Sequence, residues 1–146
     1  MFRVFHTLPC SFIIVMVLSG LARAHTESEL ASVVPPHGGL LASVGDHHVE
    51  LVLRLDRVQV FLTDRFNKPI AVQTAAGVAN LRVKGQKPQQ VRLQVVEDHL
   101  EGSAVILGDV PVTVTLVLNI EGKEHMVPYV WPAGGPKRKP AGQEQQ

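Results

Sequence analysis

The sequence predicts an all-β protein, an immunoglobulin-like antiparallel β-sandwich of about seven strands over residues 37–131. Three observations lead to this prediction. Apolar and polar side chains alternate along several short runs, which is the period of a strand with one buried face. Turn residues separate these runs at intervals of about 8–12 residues. The chain beyond residue 24 contains no long amphipathic helical pattern.

The first half of the sandwich is predicted to begin with a hairpin. The apolar positions of its first strand are Val49, Leu51, Leu53 and Leu55. The same period recurs over 58–62 after a short turn, and two such runs so close together indicate a β-hairpin. Residues 64–69 are a turn by composition, and 70–74 are predicted to form a short strand or edge segment.

The second half continues with alternating runs and tight turns. Strands over 78–83 and 91–95 are predicted to pair around a polar turn, and a weaker strand interrupted by glycine covers 100–107. The strongest strand is 112–120, because it is rich in β-branched residues. A turn with glycine then leads to the closing strand, 124–131.

The front of the chain predicts a cleaved signal peptide over residues 1–24. An apolar run at 12–18 is followed by Ala22-Arg23-Ala24, the small-x-small pattern that a signal peptidase recognises. The apolar run is shorter than the ~20 residues that a membrane-spanning helix needs. We therefore expect a soluble periplasmic protein with no stable membrane insertion after cleavage, which begins at His25 with an arm over 25–36.

Composition excludes several classes of function. The one cysteine, Cys10, lies in the predicted signal peptide, so the mature chain has no thiol for a disulfide, a thiolate metal site or a nucleophile. No stripe of Lys and Arg with interleaved aromatics indicates nucleic-acid binding. The chain also lacks a GxSxG elbow and a glycine-rich phosphate loop, so we expect no enzyme. Residues 132–146, rich in Gly, Pro, Lys and Gln, predict a disordered tail.

Histidines are the residues that carry a chemical hypothesis. Without thiols, a transition-metal site must use imidazole nitrogen and carboxylate oxygen. The densest group comprises His37, Asp46, His47, His48 and Glu50. Strand alternation places His48 and Glu50 on one face and His47 on the other, and the Gly38-Gly39 turn lets His37 fold back toward them. Exposed histidines at strand ends are the other interpretation of the same pattern.

His25 is a separate candidate for copper. After cleavage, its α-amino group and its imidazole belong to one residue and are able to chelate one ion together. The candidate metal ligands are therefore His37, His47, His48, Glu50 and His25. A plain terminal histidine is the alternative for this position.

Several motifs carry a resemblance to a known class of proteins. Pro36-His37-Gly38-Gly39 and the stretches 45–52, 58–64 and 67–70 resemble small exported β-sandwich proteins of bacterial heavy-metal handling. They also resemble the N-terminal domain of periplasmic adaptor subunits in heavy-metal efflux pumps of the resistance-nodulation-division type. The resemblance implies a periplasmic accessory role, with copper or zinc as the ion and an efflux component as partner.

The leading hypothesis is a non-enzymatic accessory protein that binds or helps handle copper, zinc or a similar ion through histidines. The alternative is a metal-independent interaction module of the cell envelope, which contacts a partner through sheet edges or exposed apolar positions such as Phe61. A more distant hypothesis is a copper enzyme or carrier built on His25.

Overall fold

The computed structural model describes residues 33–73 and 75–137, and this part of the chain is all-β. It contains eight strands: β1 (Leu40–Val44), β2 (His47–Leu53), β3 (Arg57–Asp64), β4 (Ala76–Val83), β5 (Gln89–Val96), β6 (His99–Ser103), β7 (Val112–Ile120) and β8 (Lys123–Trp131). The predicted all-β, antiparallel class is confirmed. The described residues include no helix, and hence none there that could cross a membrane.

The strands form one continuous antiparallel sheet that nearly closes on itself. Their order is β1-β2-β3-β6-β5-β4-β7-β8, and the two outermost strands, β1 and β8, contact each other. Tyr129 on β8 donates a hydrogen bond of 2.8 Å from its hydroxyl to the carbonyl of Val49 on β2, which joins two strands that are not neighbours. The sheet is therefore nearly barrel-shaped, and the immunoglobulin-like sandwich stays a prediction.

The hydrophobic core lies inside the near-barrel and follows from the alternation in the sequence. On β7, every second side chain points into the core, and the side chains between them are more exposed. The buried ones include Val112, Val114, Leu116 and Leu118. The largest fully buried side chains are Leu51, Leu62, Leu81, Leu100, Leu116 and Leu118. Because aliphatic residues dominate this core, the fold is held mainly by the burial of Val and Leu side chains.

Both pairings predicted from the sequence are confirmed. Strands β2 and β3 form the hairpin expected at the start of the domain, with Leu51 opposite Val60. Strands β4 and β5 pair around the polar turn, with Ala79 opposite Val91. The closing pair β7–β8 extends from Val112 opposite Trp131 to the turn at Glu121 and Gly122.

Three parts of the chain differ from the prediction. Strand β1 was not predicted, and it pairs with β2 across a turn at Gly45, which has a φ of 60°. Where a short strand or edge segment was predicted over 70–74, residues 70–73 form no strand: a single bridge joins Thr63 to Pro69, and the N–H of Ile70 donates to the carbonyl of Leu62 at 3.1 Å. Strand β6 ends at Ser103, since the next N–H groups bond to the loop after β2: Ala104 donates to Asp56, and Ile106 to Leu55.

The ends of the domain are described only in part. The predicted signal peptide, His25 and most of the arm lie outside the described residues, as does the tail beyond residue 137. Residues 132–135 form a turn in which the N–H of Gly135 donates to the carbonyl of Pro132 at 3.1 Å.

Candidate functional site

Glu50 is the buried charged side chain of the described residues, with 3% of its surface exposed. It lies on the outer face of β2, where the chain segment before β1 covers it. Its Oε1 accepts the backbone N–H groups of His37 at 3.0 Å and of Gly39 at 2.9 Å. Its Oε2 lies 2.9 Å from Nδ1 of His37. Both carboxylate oxygens therefore bond to the segment that folds back over them.

Gly39 is required where this segment crosses β2. A Cβ at this position would lie 2.8 Å from Cγ2 of Val52 and 2.9 Å from Cγ of Glu50, and still closer to the carbonyl oxygen of Leu51. Gly38 has a φ of 74°, a left-handed conformation that glycine adopts at no steric cost. The paired glycines thus allow the fold-back that the sequence predicted for His37.

The bond to Glu50 fixes the tautomer of His37. A carboxylate only accepts hydrogen bonds, so Nδ1 of His37 donates the proton. In the neutral ring, Nε2 then carries a free lone pair, and the side chain as a whole is 42% exposed. Metal-binding histidines are commonly held in this way, with the second ring nitrogen bonded to a carboxylate.

The ring of Phe61 packs against the imidazole of His37. The two rings stack with centroids 3.6 Å apart and planes inclined by 8°. On its other side, Phe61 stacks on His99 at 4.8 Å and 25°. Phe61 is therefore packed between two imidazoles, which differs from the free contact surface suggested for it by the alternative hypothesis.

His99 is part of this outer face. Its side chain is only 12% exposed, and its Nε2 lies 3.4 Å from Oε2 of Glu101. Nδ1 of His99 lies 3.2 Å from Asp98, and Gln59 contacts both His99 and Glu101. The alternation of His99 and Glu101 within β6 is the signal that indicates this shared face.

His48 lies on the same face as Glu50, as the alternation predicted. Its Nδ1 is 2.9 Å from the side-chain oxygen of Asn67, so Nδ1 donates and Nε2 of the neutral ring is free. Asn67 sits in a turn organised by Asp64, which accepts the N–H of Phe66 at 2.8 Å and of Lys68 at 2.9 Å. The N–H of Lys68, together with that of Phe66, holds the pKa of Asp64 below its usual value.

His47 points to the opposite side of β2. Its Nε2 lies 3.7 Å from Oε2 of Glu121, in the turn between β7 and β8. Its Nδ1 is buried without a hydrogen-bond partner. The structure therefore brings His37 and Glu50 together, places His48 on their face, and separates His47 from them by the sheet.

The described residues do not form a complete metal-ligand cage. Within 33–73 and 75–137, no group of three or more His, Cys, Asp or Glu side chains is arranged to hold a metal ion. His25 is outside this part of the chain. The outer face thus carries three imidazoles, those of His37, His48 and His99, and the buried carboxylate of Glu50 fixes the first of them.

An open cleft of about 590 Å³ adjoins His37 at one end of the near-barrel. Its apolar wall includes Leu53, Leu55, Ile106 and Trp131, and its polar groups include Arg54 and Asp109. Asp109 accepts the N–H of Gly134, which fixes the turn after β8 beside the cleft. Pockets of this size and mixed lining are typical of ligand sites.

Comparison with known proteins gives little to place this chain. No protein-family model matches it, and no curated protein matches it. A crystal structure titled as the Br derivative of BhCBM56 is similar with a TM-score of 0.44 and 10% identity, over 64% of this chain and 99% of that chain. This similarity is too low to carry an inference.

Proposed function

We propose that the protein is a non-enzymatic accessory protein that binds a transition-metal ion, copper or zinc, with His37 as the anchoring ligand. The observation that carries this proposal is the 2.9 Å bond between Nδ1 of His37 and the buried carboxylate of Glu50. That bond orients the ring and leaves Nε2 available, which is how metal-binding histidines are commonly held.

The chemistry of the donor favours copper or zinc over calcium or magnesium. Neutral imidazole nitrogen suits zinc and copper, whereas calcium and magnesium prefer oxygen ligands. Glu50 has its two oxygens engaged by His37 and Gly39, so its role is to position His37 and not to bind the ion directly. Nε2 of His37 would bind the ion, and Glu50 would hold the His37 ring in place through Nδ1.

The proposed site is open. Zinc takes about four ligands at about 2.0–2.1 Å from nitrogen, and His37 supplies one of them. His48, on the same face with its own Nε2 free, is the candidate for a second, and His25 is the further candidate. His47 is separated from this face by the sheet. Water or a partner protein would fill the remaining coordination positions of the ion. Such an open site suits an accessory protein that passes an ion onward.

Calorimetric titration of the purified mature protein with zinc(II) and copper(II) tests this proposal. We expect saturable binding tighter than about 10 µM. H37A is expected to weaken it by about a hundredfold and H48A by about tenfold, since loss of a supporting group alone costs 10–100-fold. H47A and the matched control H125A on β8 should bind like the wild type. Binding by H37A at wild-type strength would exclude His37 as the anchor.

The compartment and the partner belong to the same proposal. We propose that residues 1–24 are removed on export to the periplasm and that the partner is a component of a heavy-metal efflux system. The resemblance of residues 36–70 to that class supports this. Intact-mass measurement of the protein from the periplasmic fraction tests it, because a chain that begins at His25 is expected and retention of the leader would contradict it.

The immunoglobulin-like arrangement is proposed as the finer description of the fold. The strands β1, β2, β3 and β6 would form one layer and β4, β5, β7 and β8 the other. The shared core between Leu51 or Leu62 on one side and Leu81 or Leu116 on the other supports it. An experimental structure would test it by the angle between the two layers.

The cleft favours a second candidate function, a metal-independent interaction module. Leu55, on its apolar wall, is 74% exposed, and exposed apolar side chains beside a concavity are typical of contact surfaces. A folded protein that binds neither ion in calorimetry would favour this candidate over the first.

A further inference from the structure

The outer face of β7 and β8 is almost free of charge. Alternation directs eight side chains outward: Thr113, Thr115, Val117 and Asn119 on β7, and Glu124, Met126, Pro128 and Val130 on β8. Of these, only Glu124 is charged. Met126 is 72% and Val130 68% exposed. The solvent face of an antiparallel sheet is normally polar, whereas four of these eight side chains are apolar: Val117, Met126, Pro128 and Val130.

The apolar residues form a row across the sheet. Met126 on β8 lies opposite Val117 on β7, and Val117 lies opposite Val78 on β4. Val78 in turn lies opposite Arg92 on β5. With strands about 4.8 Å apart, the row is about 14 Å long. On the β5 side, the row ends at the basic side chain of Arg92.

The other edge of the row is acidic. Glu124 precedes Met126 by two residues on β8, so their side chains share the outer face about 7 Å apart along the strand. Glu124 therefore lies beside the Met126 end of the row, within reach of a long side chain, and Arg92 forms the other end. Neither of these two side chains has an ion-pair partner among the described residues.

We propose that this face is the contact surface of a homodimer. A two-fold axis parallel to the strands, between β7 and β4, would stack the apolar row of one copy on that of the other. The same operation brings Glu124 of each copy to Arg92 of its partner, so the ion pair forms twice. An isologous contact requires a surface that is complementary to itself, and an acid and a base at opposite ends of one apolar row meet that requirement.

The charge pattern is the argument for a second copy of this chain. A different protein would need charges opposite to these on its own surface, whereas the second copy carries them already. The face measures about 15 Å by 20 Å from strand geometry, or about 300 Å² a side, which is well below the ~800 Å² a side of a stable interface. We therefore expect a weak dimer, populated at about 100 µM protein.

Sedimentation velocity over a concentration series tests the proposal with charge reversal. The wild type is expected to shift from monomer to dimer as concentration rises. E124R and R92E each replace both ion pairs by like-charge contacts, so each should weaken dimerisation about tenfold or more. An equimolar mixture of the two variants should dimerise like the wild type, because the mixed pair restores both contacts. Salt should weaken all of these dimers.

Two charge substitutions outside this face serve as controls. D46R and R65E make the same charge changes at exposed turns away from this face, and they should dimerise like the wild type. Circular dichroism should show all variants folded, since the altered side chains point outward. A wild type that stays monomeric throughout the series overturns the proposal, and so does a mixture that behaves like the single variants. Metal binding is unaffected by either result, because the ligands lie on the other half of the sheet.

Discussion

The carboxylate of Glu50 joins a strand of the sheet to His37, a residue 13 positions earlier in the chain. One oxygen accepts two backbone N–H groups, and the other accepts the imidazole Nδ1 at 2.9 Å. This single side chain therefore orders the segment before β1 and sets the tautomer of the ring that we propose as a metal ligand.

Replacement of Glu50 by glutamine should uncouple His37 from the sheet. The amide oxygen still accepts both backbone N–H groups, but the NH₂ group cannot accept from Nδ1, and a buried donor or acceptor left unpaired costs about 1–3 kcal/mol. We expect E50Q to lower the free energy of unfolding by that amount in urea denaturation. We also expect metal affinity to fall about 10–100-fold.

The matched control for E50Q is E121Q, at an exposed acid in the turn before β8. A surface substitution of this kind should stay within about 0.5 kcal/mol of the wild type. If E50Q were as stable as E121Q, the three hydrogen bonds to Glu50 would not hold the segment in solution.

Substitution of Gly39 by alanine should distort the same crossing from the backbone side. The added methyl group meets Val52 and Glu50 at 2.8 and 2.9 Å, and overpacking of this kind costs about 1–3 kcal/mol. We expect G39A to unfold at lower urea and to bind metal more weakly. G45N, which keeps a left-handed turn position with open space around it, should be near the wild type. Equal stability of the two variants would contradict the close packing at Gly39.

Tyr129 should give the protein a loss of stability at alkaline pH. Burial, together with the negative charge of Glu50, raises the pKa of its phenol above the ordinary value of 10.0. The folded chain therefore keeps a proton that the unfolded chain releases, so stability is complete below pH 10 and falls as the pH rises further. Because Tyr129 is the one tyrosine in the sequence, ultraviolet phenolate absorbance reports it alone.

We expect phenolate to appear only when the protein unfolds, and the alkaline transition to be shallower in Y129F. This variant also loses the hydrogen bond to Val49, at a cost of about 0.5–1.5 kcal/mol at neutral pH. A free phenolate titration near pH 10 in the folded protein would show that Tyr129 is solvated.

Alternation in the sequence predicted most of the strands because burial on one face is a local pattern. Strand β1 was missed because Leu40–Val44 is short and follows directly on the two glycines. Strand β6 was predicted too long because Ala104 and Ile106 continue the apolar period, while their N–H groups bond to residues about 50 positions away. Only the tertiary fold decides between these partners.

The candidate site was predictable in outline for the same reason. The period of two placed His48 and Glu50 on one face, and the glycines allowed His37 to fold back. The partners were not predictable: Asn67 for His48, and Phe61 stacked between His37 and His99, depend on turns and pairings distant in sequence. The sparsely charged face of β7 and β8 was present in the alternation, yet its apolar row became visible only with the strand register.

The most direct test of the proposed metal ligand is long-range ¹H–¹⁵N NMR of the histidine side chains during titration with zinc(II). Before zinc is added, His37 should show a protonated Nδ1 and an unprotonated Nε2, as the bond to Glu50 requires. With zinc, the Nε2 signal of His37 should shift and saturate while Nδ1 stays protonated, and His125 should not change. A His37 signal that stays unchanged through several equivalents of zinc would contradict the account.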